Sequence, residues 1–127
     1  RRIPCFDSHL NGLNLYLWPR FQAVIDLHID SLRKSRLIVT DTHPHYTTRR
    51  YVEFAVSVLS LNHGYDDALL TNSLTRLRSE VEALLDRMSG DMPRKSRVIF
   101  WINNTDLVCS VLSVWSGLIV GTFEEFF

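Results

Sequence analysis

One seam of apolar residues, repeating at alternating intervals of four and three, constrains the fold of this chain more than any other feature. Its members are Leu70, Leu74, Leu77, Val81, Leu84 and Met88. This is the a/d pattern of a heptad repeat, which places all six side chains on one side of a helix. We therefore predict a helix over about residues 67–89 that buries the seam. Leu77→Asp should unfold the domain, because it would bury an unpaired charge.

A second apolar stripe predicts a helix over about residues 9–35. The stripe contains Leu10, Leu13, Leu17, Trp18, Phe21, Val24, Ile25, Ile29 and Leu32. Pro19 lies within it, although an interior proline removes a backbone donor and costs roughly 3 kcal/mol. Either one helix continues with a kink, or one helix ends near Leu17 and another begins with Pro19 in its first turn. The unbroken stripe favours the kinked, continuous helix.

Two further helices are predicted over about residues 45–62 and 95–115. The apolar face of the earlier one is Tyr51, Phe54, Val58 and Leu61. Thr47 or Thr48 is its expected cap, although Pro44 also permits an earlier start. The later one is apolar on two sides. Its first side is Val98, Trp101, Ile102, Val108, Cys109, Leu112 and Trp115, and its second is Phe100, Leu107, Val111 and Val114. Such a helix is buried between neighbours or faces a partner.

The ends of these helices carry recognisable boundary residues. Asn62-His63-Gly64 predicts the stop of the second helix, and Asp66 or Asp67 is the expected cap of the third. The final residues, 121–127, resemble the start of a further helix. Together the pattern indicates one all-α domain over residues 1–127, an antiparallel bundle or a stacked rod of about four to five helices. Because the chain begins with Arg1 and not Met, we expect it to be a fragment of a longer chain.

Bulk composition excludes several classes of function. The chain has 14 basic and 14 acidic residues. It therefore lacks the excess of positive charge that would suggest nucleic-acid binding. Cys5 and Cys109 lack metal-type spacing, which favours reduced thiols in the cytosol. The segment 107–123 is uncharged, at the lower edge of the length that a spanning helix needs. Its serines, glycines and close acidic flanks favour a buried helix over a membrane span.

The few groups that could support chemistry are weak candidates. Asp41, His43 and His45 lie close in sequence and could serve a metal-dependent enzyme, but a polar loop beside a proline is the simpler interpretation. His28 is expected to be a core histidine or to contact the next helix. We expect no catalytic residue, no metal site and no cofactor. The basic pairs Arg1-Arg2 and Arg49-Arg50 could meet acidic partners or anionic lipid, although solvated charges at a helix start are commoner.

A polar run, INNTD at residues 102–106, interrupts the apolar fourth helix. Buried amide side chains must be hydrogen-bonded, so we expect a polar contact to another helix or to a partner. Asn103 also begins an Asn-Asn-Thr glycosylation sequon, which within a helix of a cytosolic protein is expected to be accidental.

Four segments, in order, resemble a known family. They are LNLYLWPRFQAVIDLHIDSLR, HPHYTTRRYVEFAVSVLSLN, LTRLRSEVEALLDRM and FWINNTDLVCSVL, with LWPRF and the INN-x-D run as the most specific parts. They resemble the C-terminal half of the vacuolar protein sorting-associated protein 52 family over about Ile3 to Leu112. The tail from Ser113 is a poorer match.

The resemblance implies a function that the residues alone do not. It implies a non-enzymatic subunit of a vesicle-tethering complex for endosome-to-Golgi retrograde transport, the Golgi-associated retrograde protein complex or its endosomal sister. Such complexes are built of stacked helical rods. The implied partners are sibling subunits, SNARE proteins and a Rab-type small GTPase. The implied location is the cytoplasmic face of the trans-Golgi network and endosomes, peripheral to the membrane. The resemblance transfers no catalytic or partner-binding residue. The alternative is a generic helical protein-interaction module unrelated to tethering.

Overall fold

The computed structural model describes residues 3–62 and 68–118, and within these ranges it contains four helices and no strand. They are α1 (Pro4–Lys34), α2 (Tyr46–Leu61), α3 (Ala68–Met88) and α4 (Arg94–Leu118). The predicted all-α class is confirmed. The suggested helix at 121–127 and the expected caps Asp66 and Asp67 lie outside the described residues.

Helix α1 begins earlier than predicted and runs through Pro19 without a break. Pro4 occupies the first turn, where a proline's missing N–H costs nothing, and Asp7 complements the positive end of the helix dipole. Arg33 and Lys34 stand in the last turn, where positive charge is favourable. The prediction of one continuous helix is therefore confirmed, and the alternative of two helices meeting near Leu17 is wrong, while the kink at Pro19 stays a prediction.

Helix α2 differs from its prediction in its cap and in part of its covered face. The cap is His45, whose ring nitrogen accepts from the Thr47 N–H, and not Thr47 or Thr48. Tyr51 and Phe54 of the predicted face pack against the core, whereas Leu61 is 86% exposed. The fully buried residues are Thr48, Val52 and Ala55. The cause is that α2 contacts both α3 and α4. Its covered surface is therefore wider than a single stripe and is not centred on the predicted face.

Consecutive helices alternate in direction, yet two of the packed pairs are parallel. Helix α1 is parallel to α3, because residue numbers rise in the same direction along both helices from the Gln22–Ser73 contact to the Arg33–Glu80 contact. The same holds for α2 and α4, which are joined by Thr48–Asn104 at one end and Ser60–Trp115 at the other. The predicted antiparallel arrangement therefore holds between chain neighbours, while α1 with α3 and α2 with α4 form parallel layers.

The core is built around the heptad seam of α3, whose six members are all at most 6% exposed. One cluster joins Leu77 to Ile25 and Ile29 of α1. The other consists of Val81, Leu84, Leu85, Met88 and Phe100, and so reaches α4. Tyr51 of α2 packs against both clusters, which makes the interior continuous. The predicted seam is confirmed in full.

Helix α4 is less covered than the sequence suggested. Among its described side chains, residues 94–115, only Phe100 and Asn104 are buried. The expectation that the uncharged segment would be a buried helix is therefore wrong for residues 107–115. By length and composition alone, Arg94–Trp115 would suffice to cross a membrane, a test that core helices of soluble proteins also pass.

Candidate interaction surfaces

Almost the first half of α1 exposes an apolar stripe to solvent. We call residues 3–17 the N-terminal arm. Its stripe is Ile3, Phe6, Leu10, Leu13 and Leu17, each between 41% and 61% exposed. Among the described residues, Phe21 is the first of α1 in the two core clusters, and the arm spans about 20 Å of helix before it. Exposed apolar residues in a continuous row are typical of a protein-binding surface.

The stripe of the N-terminal arm has the spacing of a coiled-coil seam. Its members are separated by three, four, three and four residues, so a second helix can insert its own side chains between them. From Ile3 to Pro19 the sequence contains one acidic residue, Asp7, one histidine, His9, and no lysine or arginine. The surface therefore favours a partner that contributes apolar side chains over one recognised by charge.

Helix α4 exposes apolar side chains on both of its predicted apolar sides. Val98 and Ile102, on the first side, are 52% and 60% exposed, and Val114, on the second side, is 69% exposed. Of the two predicted options for this helix, burial between neighbours or contact with a partner, the exposure favours the second. Its covered side lies between the two predicted apolar faces, because Phe100 and Trp101 both pack into the core while Val98 and Ile102 do not.

A buried amide joins α4 to the start of α2. Asn104 Oδ1 accepts from the Thr48 hydroxyl at 2.6 Å and from the His45 N–H at 3.0 Å. Its Nδ2 donates to the Phe100 carbonyl at 2.8 Å. The neighbouring Asn103 donates to the Thr42 carbonyl at 2.6 Å. The predicted polar contact between helices is confirmed by Asn104 and Thr48, and the side chain of Asn103 is bonded to the loop before α2.

The candidate metal residues do not converge on a common point. Asp41 Oδ1 accepts from the backbone N–H of His43 at 2.9 Å, which closes a turn. His45 instead caps α2, and its ring is tilted against that of Tyr46 with 4.3 Å between the ring centroids. Burial lowers the pKa of His45, which keeps its cap nitrogen unprotonated and able to accept. In residues 3–62 and 68–118 no group of three or more His, Cys, Asp or Glu residues could hold a metal ion. Both cysteines are free thiols.

His28 is an exposed residue of α1, and its ring lies 6.1 Å from that of Phe54 on α2. The predicted contact with the next helix is confirmed, while the core placement is wrong. Sequence reasoning also stopped the α1 stripe at Leu10 and so missed Ile3 and Phe6. The available signal was their spacing, since Phe6 lies four residues before Leu10 and Ile3 lies three residues before Phe6.

Comparison with known proteins agrees with the resemblance in sequence. The family model described as "Vps52, C-terminal" matches residues 1–119. Vacuolar protein sorting-associated protein 52 B of Arabidopsis thaliana is 47% identical over 116 residues, which cover 88% of this chain and 16% of the relative. The human homolog is 34% identical with the same coverage. The Schizosaccharomyces pombe relative is 36% identical over 91% of this chain and 24% of its own length.

No solved structure matches the chain. The chain spans about a sixth of the length of its plant and mammalian relatives. Since the family model covers almost the whole chain and the relatives reach 47% identity, the chain belongs to the Vps52 family and corresponds to its C-terminal region.

Proposed function

We propose that this region is a non-enzymatic, protein-binding part of a vesicle-tethering subunit that acts in endosome-to-Golgi retrograde transport. Membership of the Vps52 family supports the trafficking role, since the relatives are named for vacuolar protein sorting. The partners we propose are sibling subunits of the complex, SNARE proteins and a Rab-type GTPase. The proposed location is the cytoplasmic face of the trans-Golgi network and endosomes, without a membrane span.

The observation that carries the proposal is the uncovered stripe of the N-terminal arm. Burying a leucine or phenylalanine side chain contributes roughly 1.5–3 kcal/mol, so five such residues supply enough apolar surface for a stable helix-to-helix contact. Tethers built from helical rods need contacts of this kind between subunits. We assign the arm to a sibling subunit, which would lay an apolar helix along it.

The test replaces two stripe residues in the full-length protein. Leu10→Asp with Leu13→Asp should reduce recovery of sibling subunits at least about tenfold, because two charges would be desolvated at the seam. The measurement is affinity purification of the tagged protein followed by quantitative mass spectrometry. Folding is checked by circular dichroism, which we expect to be unchanged because both positions are exposed.

The matched control carries the same two charges on the other side of the arm. Leu15→Asp with Tyr16→Asp changes residues that are 77% and 80% exposed and lie off the stripe. This variant should recover siblings as the wild type does. Equal recovery with both double variants would contradict the assignment of the arm. Diffuse cytosolic fluorescence of the full-length protein, without trans-Golgi or endosomal puncta, would favour a generic interaction module.

A further inference from the structure

A groove of about 300 Å³ opens between α1, α2 and α3, away from the N-terminal arm. Its floor is apolar and is formed by Leu77, Val81 and Leu84 of the α3 seam, with Phe54 of α2 on one side. Its volume is at the lower end of the range for ligand pockets, enough to accept an apolar side chain. The floor is fixed by the core, so the groove exists before any ligand arrives.

Positive charge borders this groove without an acidic counterpart. Arg50 lies over the ring of Tyr46, 5.3 Å from its centroid, and both residues line the opening. The other titratable groups of the lining are His28 on α1 and Tyr51 on α2, and no Asp or Glu is among them. Among the described residues Arg50 forms no ion pair. The site therefore combines an apolar floor with a cation that is available to a ligand.

We propose that the groove binds a short peptide segment of a partner protein in which an aromatic or leucine side chain adjoins an acidic residue. The apolar side chain would enter between Phe54 and the α3 seam, and the carboxylate would pair with Arg50. A guanidinium held over an aromatic ring is well placed for such a pair, because its N–H groups remain free at the edges. This proposal is independent of the arm and of the identity of the tethering complex.

Charge complementarity favours a peptide over a membrane surface. A lipid surface would engage the adjacent Arg49 and Arg50 alike, whereas only Arg50 lines the groove. A membrane would also leave the concave apolar floor unfilled. A peptide satisfies both features with two neighbouring side chains, as groove-binding peptides commonly do.

The test measures fluorescence anisotropy with the full-length protein and a labelled nonapeptide. The peptide carries two glutamates followed directly by phenylalanine in a glycine–serine background. We expect saturable binding that is lost when the phenylalanine is replaced by alanine and weakened when the glutamates are replaced by glutamine. Arg50→Glu should weaken binding at least about fivefold, the scale of one exposed ion pair with its charge reversed. Ser31→Trp, which places a ring in the groove from α1, should weaken it similarly.

The matched control is Arg49→Glu, which makes the same charge change at an exposed position outside the groove. It should bind the peptide within about twofold of the wild type. Absence of saturable binding up to about 1 mM would overturn the proposal. Equal weakening by Arg49→Glu and Arg50→Glu would overturn it as well. Binding to lipid is tested by sedimentation of the protein with vesicles of about 30% phosphatidylserine. If both variants reduce sedimentation equally and the peptide does not compete with the vesicles, the site is a charged patch for lipid and the proposal is overturned.

Discussion

The two parts of α1 share one helix and one apolar stripe, yet only one of them is covered. In the N-terminal arm every stripe residue is at least 41% exposed, whereas Ile25 and Ile29 are at most 2% exposed. The difference is α3, which lies beside the later part of α1. A stripe of helical period therefore predicts that a surface will be buried, but it does not say by which neighbour.

Polar contacts also mark the covered part of α1. Asp26 pairs with Arg76 at 3.0 Å, and Arg33 pairs with Glu80 at 2.7 Å. Arg87 donates to the Leu32 carbonyl at 2.8 Å and so satisfies one of the acceptors at the end of α1. Exposed ion pairs contribute roughly 0–1 kcal/mol each, so they fix the register of α1 on α3 more than they stabilise the pair. The burial of apolar side chains therefore accounts for most of the difference between the two parts.

The largest expected effect comes from placing a charge in the covered seam of α3, and the same charge on the exposed stripe of the N-terminal arm is its comparison. Leu77→Asp puts a carboxylate into the cluster with Ile25 and Ile29, and should lower the free energy of unfolding by roughly 4 kcal/mol or unfold the chain. Leu10→Asp makes the same change on the N-terminal arm, and should lower it by less than about 0.5 kcal/mol. Urea unfolding followed by circular dichroism measures both.

These two variants test whether the N-terminal arm is exposed while the later part of α1 is covered by α3. Equal losses from Leu77→Asp and Leu10→Asp would show that the arm is packed in solution against another part of the chain or a second copy. An unchanged melt for Leu77→Asp would show that the α3 seam is not core.

The sequence predicted the elements of this fold better than their contacts. Helix positions, the α3 seam and the polar contact of Asn104 follow from periodicity and from the need to satisfy a buried amide. The covered face of α2 followed only in part, through Tyr51 and Phe54, and the covered face of α4 did not follow. Both helices are apolar over a wide arc, and the choice of face depends on where the neighbouring layers lie. The groove beside Arg50 depends on three helices at once, so no local pattern could indicate it.

A smaller effect is expected at the boundary between the two parts of α1. Pro19 has no N–H to donate to the Leu15 carbonyl, so Pro19→Ala restores one helical hydrogen bond. We expect the free energy of unfolding to rise by about 1 kcal/mol, since the more flexible unfolded chain offsets part of the helical gain. Hydrogen exchange should slow within residues 4–17.

The control for this prediction is Asn14→Ala, an exposed change in the same arm that restores no hydrogen bond. It should alter stability by only a few tenths of a kcal/mol. A loss of stability in Pro19→Ala would mean that the proline sets the orientation of Trp18 on Phe21, whose rings lie 5.4 Å apart.

The smallest expected effect concerns the pH dependence of stability. It compares two histidines that precede α2, the partly buried His45 and the exposed His43. Burial lowers the pKa of His45 below its ordinary 6.5, with Asp41 opposing the shift. The unfolded chain then binds more protons than the folded one just below pH 6.5, so stability should decrease as the pH falls through that value. Glu80, whose pKa is lowered by its bond from Arg33, loses its contribution only as the pH falls below about 4.5 and so lies outside this window.

His45→Asn isolates this contribution, because asparagine caps a helix without titrating. Between pH 7.5 and pH 5 the variant should lose less stability in urea unfolding than the wild type, while the two remain close at pH 7.5. His43→Asn changes an exposed residue whose side chain is not a helix cap, and it should retain the wild-type dependence on pH. If His45→Asn and the wild type lose the same stability on acidification, protonation of the α2 cap does not contribute to the loss. The difference in burial between His45 and His43 would then have no measurable effect on the pH dependence of stability.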